Sequence, residues 1–403
     1  MKQSAQDTIA VIGIGRVGLS LSLVLSESGY QVIGIDKDPA KNNLLKKKEV
    51  PFKEAGAADL LQKHIGKNFL LGELADLKKC ASVIICVGTF LKEDFTPDLA
   101  TIYSLLDDML PLLRNNSLLI LRSTIHPKGT EAIANYLKKK TPKKIHVVYA
   151  PERIAEGFAI KELYTLPQII GSIDRASGKK AEKIFASFAP KVLHTDPLSA
   201  ELSKLVLNTY RYAKFALANE LMMIIDFYGR DAYKVLALAN NNYVRGNIPS
   251  PGFAAGPCLV KDSFFLRYNT PFNTLITGSY TINNQVTSFL IEKLSKKINL
   301  KKKKVAVLGL SFKKNIDDAR GALSAQLIEE LKPYHCSIAI HDPYLANTSL
   351  SEVLSGADAV FLAVDHDEYK KLTVKKLQKY IGKKSVVVDV WNVLGTEKIF
   401  VEI

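Results

Sequence analysis

At 403 residues, 47% hydrophobic and 24% charged, the chain has the composition of a globular protein of about two or three domains. No apolar run reaches the roughly eighteen residues of a membrane span, and four cysteines without C-x-x-C spacing argue against a disulfide framework or a metal site. The net charge of +15 lies largely in lysine runs at 46–48, 138–140 and 301–304, which read as solvated faces or as attraction for an anionic ligand. Nucleic-acid binding would want basic residues interleaved with aromatics or a reader motif, and neither is present. Met1–Asp7 carry no apolar signal region, so a cytoplasmic protein with free thiols is expected.

In chain order, Thr8–Ile12 is a continuous apolar strand that runs into Gly13-Ile14-Gly15-Arg16-Val17-Gly18. A helical stretch follows to Glu27, and a second strand, Gln31–Ile35, ends in Asp36. Glycines alone are a weak signal. Strand, glycines, helix, strand and then an acid about twenty residues on is a strong one for a dinucleotide site. Gly13, Gly15 and Gly18 let backbone N–H groups approach a pyrophosphate at a helix N-terminus. Asp36 would accept from a ribose 2′-hydroxyl and repel a 2′-phosphate, which favours NAD over NADP. Further strands over 82–87, 118–122 and 145–149 end in Gly88-Thr89, Ser123-Thr124 and Pro151-Glu152-Arg153, with Glu156-Gly157 beyond. Right-handed crossovers put all these ends on one sheet edge, so Thr89, Thr124, Glu152 and Glu156 are expected around the cofactor. Taken singly, each threonine suits a helix N-cap equally well.

A long apolar helical pattern opens at Pro197 and runs to about Tyr228, with Gly229 as its C-cap. Lys204, Asn208, Arg211 and Asn219 fall along one stripe of it. A helix this long and this apolar is expected to link two domains and to pack against a partner subunit. After a shorter helix, the Asn-, Pro- and Gly-rich stretch 240–256 is expected to expose backbone groups that cradle a sugar. Cys258 follows Gly256-Pro257, which suggests a thiol presented by a turn. Lys261 and Asp262 could stabilise its thiolate and position water. The bland alternative is a buried cysteine beside a solvated charge pair. The last hundred residues read as a second α/β unit, with strands near 305–310, 338–340, 359–364 and 386–389. Only Gly309 marks its first turn, so a second dinucleotide site is not expected there.

Together these motifs resemble the UDP-glucose/GDP-mannose dehydrogenase family over nearly the whole chain. The match rests on the glycine turn with Asp36, Val87-Gly88-Thr89, Ser123-Thr124 with Gly129-Thr130, and Pro151 through Gly157. The Lys204/Asn208 helix and Gly256-Pro257-Cys258 with Lys261-Asp262 complete it. The resemblance implies an α/β fold of two Rossmann-like doubly wound domains joined by a long central helix and a helical dimerisation region. The bounds are 1–196 for the NAD-binding domain, 197–300 for the central domain with the cysteine loop, and 301–403 for the UDP-binding domain.

It also implies an NAD-dependent, four-electron oxidation of a nucleotide-sugar C6 alcohol to a carboxylate, by way of a thiohemiacetal and thioester on Cys258. By similarity Lys204 and Asn208 would steady the developing oxyanion, and Asp262, Thr124 and Glu152 would handle water and protons, with the general base left open among them. Glu152, Glu156, Lys204, Asn208, Gly256 and Lys313 would contact substrate, and Arg245 would cross a homodimer, or a higher homo-oligomer, to the neighbouring site. Lys41, Thr89, Thr124, Glu156, Lys261 and Arg320 would contact the NAD. No metal, nucleic acid or membrane is implied.

The sequence departs from the family pattern at Phe253-Ala254-Ala255, at Phe90 and at Gly321-Ala322. Pro151–Gly157 and Ser263–Leu266 are similar to members acting on UDP-N-acetylhexosamines such as UDP-ManNAc or UDP-GlcNAc, whereas Gly-Pro-Cys is similar to the UDP-glucose enzymes. Two rivals stay open at this point. One is a two-electron β-hydroxyacid-type dehydrogenase, which needs no Cys258. The other is a catalytically inactive nucleotide-binding protein.

Overall fold

The structure is a computed structural model that describes residues 8–403; Met1–Asp7, the segment without a signal pattern, lies outside the described residues. The chain forms two compact units, one ending at Leu207 and taking in Phe264–Asn269, the other made of Asn208–Ser263 and Thr270–Ile403.

The first unit begins with β1 (Thr8–Ile12), α1 (Arg16–Glu27), β2 (Gln31–Ile35), α2 (Pro39–Lys46), α3 (Ala57–His64), β3 (Phe69–Leu71) and β4 (Ser82–Ile85). A small hairpin, β5 (Phe90–Leu91) with β6 (Pro97–Asp98), precedes α4 (Ala100–Met109) and β7 (Ser117–Leu121). Then come α5 (Gly129–Lys140), β8 (Ile145–Tyr149), α6 (Ala159–Thr165), β9 (Gln168–Ser172), α7 (Arg175–Phe185) and β10 (Val192–Thr195). Eight strands form one sheet in the order β10-β9-β8-β7-β4-β1-β2-β3. β1 pairs in parallel with both β2 and β4, so the glycine turn opens at the point where strand order reverses.

The strands are apolar without a break because both faces are covered. Ile9 and Val11 pack with α1, α3, α6 and α7, and Ala10 and Ile12 pack with α4 and α5. Strands β9 and β10 were not expected: they pair in parallel with each other, and β9 runs antiparallel to β8. Gly171 breaks the apolar run of β9, and for a steric reason. A Cβ there would lie 2.7 Å from that of Ala200, at the start of the next helix.

That helix, α8 (Pro197–Phe227), is 31 residues long. Asp196 caps it through the Ser199 N–H at 2.9 Å, with Pro197 in the first turn, where its missing N–H costs nothing. Asn208 and Asn219 are buried and Lys204 is half-buried, while Arg211, on the same stripe, is exposed.

The second unit continues with α9 (Ala232–Asn240), α10 (Pro257–Arg267), α11 (Thr274–Lys297), β11 (Lys304–Leu308), α12 (Leu323–Leu331), β12 (Ser337–His341) and α13 (Leu350–Leu354). It closes with β13 (Ala359–Leu362), α14 (Val374–Leu377), β14 (Val386–Val388) and β15 (Phe400–Glu402). Its sheet has the order β12-β11-β13-β14-β15, parallel except for β15. Val305 and Val307 pack with α11 and α12, while Ala306 and Leu308 pack on the other face with α13 and α14.

Two expectations need correction. Pro251 through Ala254 and Gly256 are buried, so this part of the loop does not offer its backbone to a ligand. Phe253 joins the core beneath the second sheet and Ala254 packs with Tyr212 and Leu259. Nor is Cys258 presented by a turn. Pro257 begins α10, and the thiol stands in the helix's first turn.

Candidate active site

Sterics shape the glycine turn in the first unit. Gly13 has φ +86°, and a Cβ on Gly18 would fall 2.0 Å from the Gly13 carbonyl oxygen. Over Gly15, by contrast, nothing lies within 4 Å of where a Cβ would project. Gly15 gives α1 no side-chain cap. The helix N-terminus therefore keeps both the room and the partial positive charge that a pyrophosphate requires, and the residues fit a dinucleotide. At the end of β2 the Asp36 carboxylate accepts from Lys41 Nζ at 2.7 Å and from the Asp38 N–H at 3.0 Å. Lys41 thus sits on the acid itself.

The other strand ends are tied to one another. Thr89 Oγ1 donates to the Thr124 carbonyl at 2.9 Å, and Ser123 Oγ to that of Val87 at 2.7 Å, which joins the ends of β4 and β7. Glu152 is nearly buried and its oxygens are occupied. Oε2 accepts from Arg122 Nη2 at 2.6 Å and Nε at 3.0 Å, and Oε1 from the N–H groups of Arg153 and Ile154 at 2.7 and 3.0 Å. Glu156 stands 3.6 Å from Arg16 of the glycine turn, whose guanidinium lies over the Phe52 ring. Glu54 accepts the N–H groups of Gly157 and Ala159 at 2.9 and 2.8 Å and so holds the chain beyond Glu156. Burial raises its pKa above the ordinary value. Glu201, one turn before Lys204 on α8, has no exposed surface and accepts the N–H groups of Lys128 and Thr130 at 2.7 Å each. It holds the start of α5, just beyond Thr124.

In the second unit Cys258 is exposed at the N-terminus of α10, where a helix favours negative charge. One turn later Asp262 is wholly buried. It accepts from Asn208 Nδ2 at 2.6 Å and pairs with Lys261 Nζ at 2.9 Å. Three of the expected residues therefore form one cluster, which locks α8 to α10 beside the cysteine. Gly256 has φ +103°, donates its N–H to the Gly321 carbonyl at 3.0 Å, and has the Phe312 ring 2.6 Å from where a Cβ would stand. The altered residue after Arg320 is thus the acceptor that fixes the cysteine loop.

Lys313 is half-buried in that same 312–321 segment, and the exposed Arg320 is paired with Asp318 at 2.6 Å. Behind Lys313, buried His366 accepts the Asn315 N–H on Nδ1 at 2.9 Å, which leaves Nε2 to donate towards Asp342 at 3.2 Å. Burial alone would raise the Asp342 pKa, but hydrogen bonds from His366 and from backbone N–H groups hold it down to about 2. Arg245 lies on an exposed turn with its guanidinium 5.2 Å over the Tyr243 ring.

Comparison with known proteins agrees with these motifs. Residues 7–189 match the NAD binding domain of the UDP-glucose/GDP-mannose dehydrogenase family, 198–284 its central domain and 306–396 its UDP binding domain. The chain belongs to this family. A UDP-N-acetyl-D-mannosamine dehydrogenase of Methanococcus maripaludis is 31% identical over 403 residues, covering 96% of this chain and 93% of that protein. Its counterpart in Pyrococcus horikoshii is 32% identical over 410 residues, covering 96% of each. The solved structure of the UDP-D-ManNAc dehydrogenase from Pyrococcus horikoshii superposes with a TM-score of 0.86 at 30% identity, over 93% of both chains.

The family member is accordingly an NAD-dependent nucleotide-sugar dehydrogenase, an oxidoreductase acting on a CH–OH group, with a UDP binding domain. None of its described helices is long and apolar enough to cross a membrane. Sequence reasoning missed Arg122, Glu54 and Glu201. A signal existed for Arg122, because an arginine ending a continuous apolar strand must find a buried acceptor. Glu54 and Glu201 lie 105 and 71 residues from their partners Ala159 and Thr130, and nothing local marks them.

Proposed function

We propose that the protein oxidises the C6 alcohol of a UDP-N-acetylhexosamine to the carboxylate in two successive two-electron steps. UDP-N-acetylmannosamine is the first candidate, since the relatives above carry that name; UDP-N-acetylglucosamine and UDP-glucose follow. The observation that carries this reading is the exposed Cys258 thiol at the start of α10, with the buried Asn208–Asp262 pair and the half-buried Lys261 one turn behind it.

Bound NAD+ supplies the hydride acceptor in both steps, so two NADH form per sugar. Lys204 and Asn208 steady the C6 oxygen as it gains negative charge. Cys258 Sγ bonds the resulting aldehyde carbon to give a thiohemiacetal, whose oxidation leaves a thioester. Water then breaks the C–S bond, which releases the carboxylate and restores the thiol. Asp262, buried and paired, holds Asn208 and Lys261 in place one turn from the thiol. Glu152, already filled by Arg122 and two N–H groups, serves as the strut that shapes the loop carrying Glu156. Gly13, Gly15 and Gly18 seat the pyrophosphate and Asp36 the adenosine ribose, with Lys41 holding Asp36 in place. Thr89 and Glu156 contact the remaining cofactor, and Lys313 the substrate. The division of labour we propose is 1–196 for NAD, 197–300 for the thiol and dimerisation, and 301–403 for UDP.

A second copy completes the molecule in this reading. Val206, Tyr210, Leu217 and Ile224 are exposed on α8, and they fall within roughly 40° of one another around a helix of about 3.6 residues per turn. Such a stripe calls for a partner, and a homodimer would bring the exposed Arg245 to a neighbouring site. With its free thiols, the enzyme belongs in the reducing cytoplasm. A panel of UDP- and GDP-sugars followed at the NADH absorbance tests the substrate. The highest kcat/KM is expected on a UDP-N-acetylhexosamine, and preference for a GDP-sugar would overturn the assignment.

A further inference from the structure

The chain ahead of Cys258 has neither strand nor helix to pair its backbone, yet Gly252 within it is buried. Both its N–H and its C=O must find partners inside the protein. Asn219 of α8 supplies both. Its Oδ1 accepts the Gly252 N–H at 3.0 Å and its Nδ2 donates to the Gly252 carbonyl at 3.0 Å. The second hydrogen on Nδ2 goes to Asn283 Oδ1 of α11 at 2.9 Å, and Asn283 Nδ2 donates to the Tyr212 carbonyl at 3.2 Å. Asn219 is 0% and Asn283 1% exposed, so this is a fully paired polar network in an apolar setting. Such a network fixes one arrangement where apolar packing would tolerate several.

The segment is pinned on its other sides as well. A Cβ on residue 252 would meet Trp391 Cζ3 at 2.3 Å, and Trp391 Nε1 is itself held by the Ala363 carbonyl at 2.9 Å. Four residues on, Gly256 is tied to Gly321, and Pro257 then opens the helix that carries the thiol.

We propose that Asn219 is a positioning residue for the thiol step. It acts through Gly252, sets where Cys258 stands at the start of α10, and does not touch the substrate. This rests on the reading that Cys258 captures the aldehyde.

The test replaces Asn219 with Leu, which fills a similar volume without the hydrogen bonds, and with Ala. Turnover, KM for NAD, the rate of Cys258 alkylation by iodoacetamide and the NADH formed per sugar are then measured. A displacement of the thiol by about 1 Å is worth up to about 100-fold in rate. Asn219→Leu should therefore lower kcat by at least about tenfold, change the alkylation rate, leave KM for NAD unaltered, and lower the NADH yield from two towards one as free aldehyde escapes. A merely structural role would change the unfolding midpoint without this bias. Folded Asn219→Leu enzyme with wild-type kcat and two NADH per sugar would overturn the proposal. Should both variants fail to fold, Asn283→Ser releases only the outer brace. It should lower kcat about threefold with the same bias, and an unchanged kcat there would overturn the proposal. Wild-type enzyme that forms a single NADH per sugar would instead overturn the four-electron reading, so the two failures are distinguishable.

Discussion

Both carboxylate oxygens of Glu152 are taken by the protein itself, and Arg122, its partner, has a side chain that is 0% exposed. Removing one member of such a pair leaves the other charged, buried and unmatched. Glu152→Leu should therefore destabilise the first unit by about 3–5 kcal/mol in denaturant unfolding, more than the loss of a surface pair could cause. A loss within about 0.5 kcal/mol would show that the pair is solvated in practice. At this scale the sequence disclosed residue types better than their partners. The glycine turn was legible because each glycine answers a local demand, an open approach or a Cβ clash. Asn208 and Asp262 could be singled out, but not their hydrogen bond, which spans 54 residues. Asn219 was visible as a polar residue in an apolar helix, with no hint that Gly252 was its partner.

The elements show where local signals mislead. Gly-Pro before Cys258 reads as a turn, yet a proline in a helix's first turn is equally at home, and the apolar residues that follow extend α10. Two strands were missed because β15 is only three residues long and β9 is interrupted by a glycine that α8 requires. α8 itself was plain from its length and apolarity, and its exposed stripe is where a partner would lie. Leu217→Glu places a charge in the middle of that stripe. Sedimentation should then show the mass falling from a dimer of the 44.5 kDa chain to a monomer. A wild-type chain that sediments as a monomer would remove the dimer reading.

For the whole molecule, the order of motifs along the chain was more informative than any one of them. A glycine turn, a lysine-bearing helix, a cysteine loop and a second α/β unit follow one another along the chain, and the matched NAD binding, central and UDP binding domains follow the same order. The fold class was therefore legible from the sequence, while the choice of sugar was not, because it depends on side chains brought together from distant segments. The central claim is that the sugar is carried on Cys258 as a thioester after the second oxidation, until water releases it. Acid quenching during the first turnover, followed by mass analysis of the Cys258 peptide, tests it most directly. The account expects a peptide heavier by the sugar acyl group in wild-type enzyme and none in Cys258→Ser; an unmodified Cys258 throughout a turnover that still yields two NADH would contradict it.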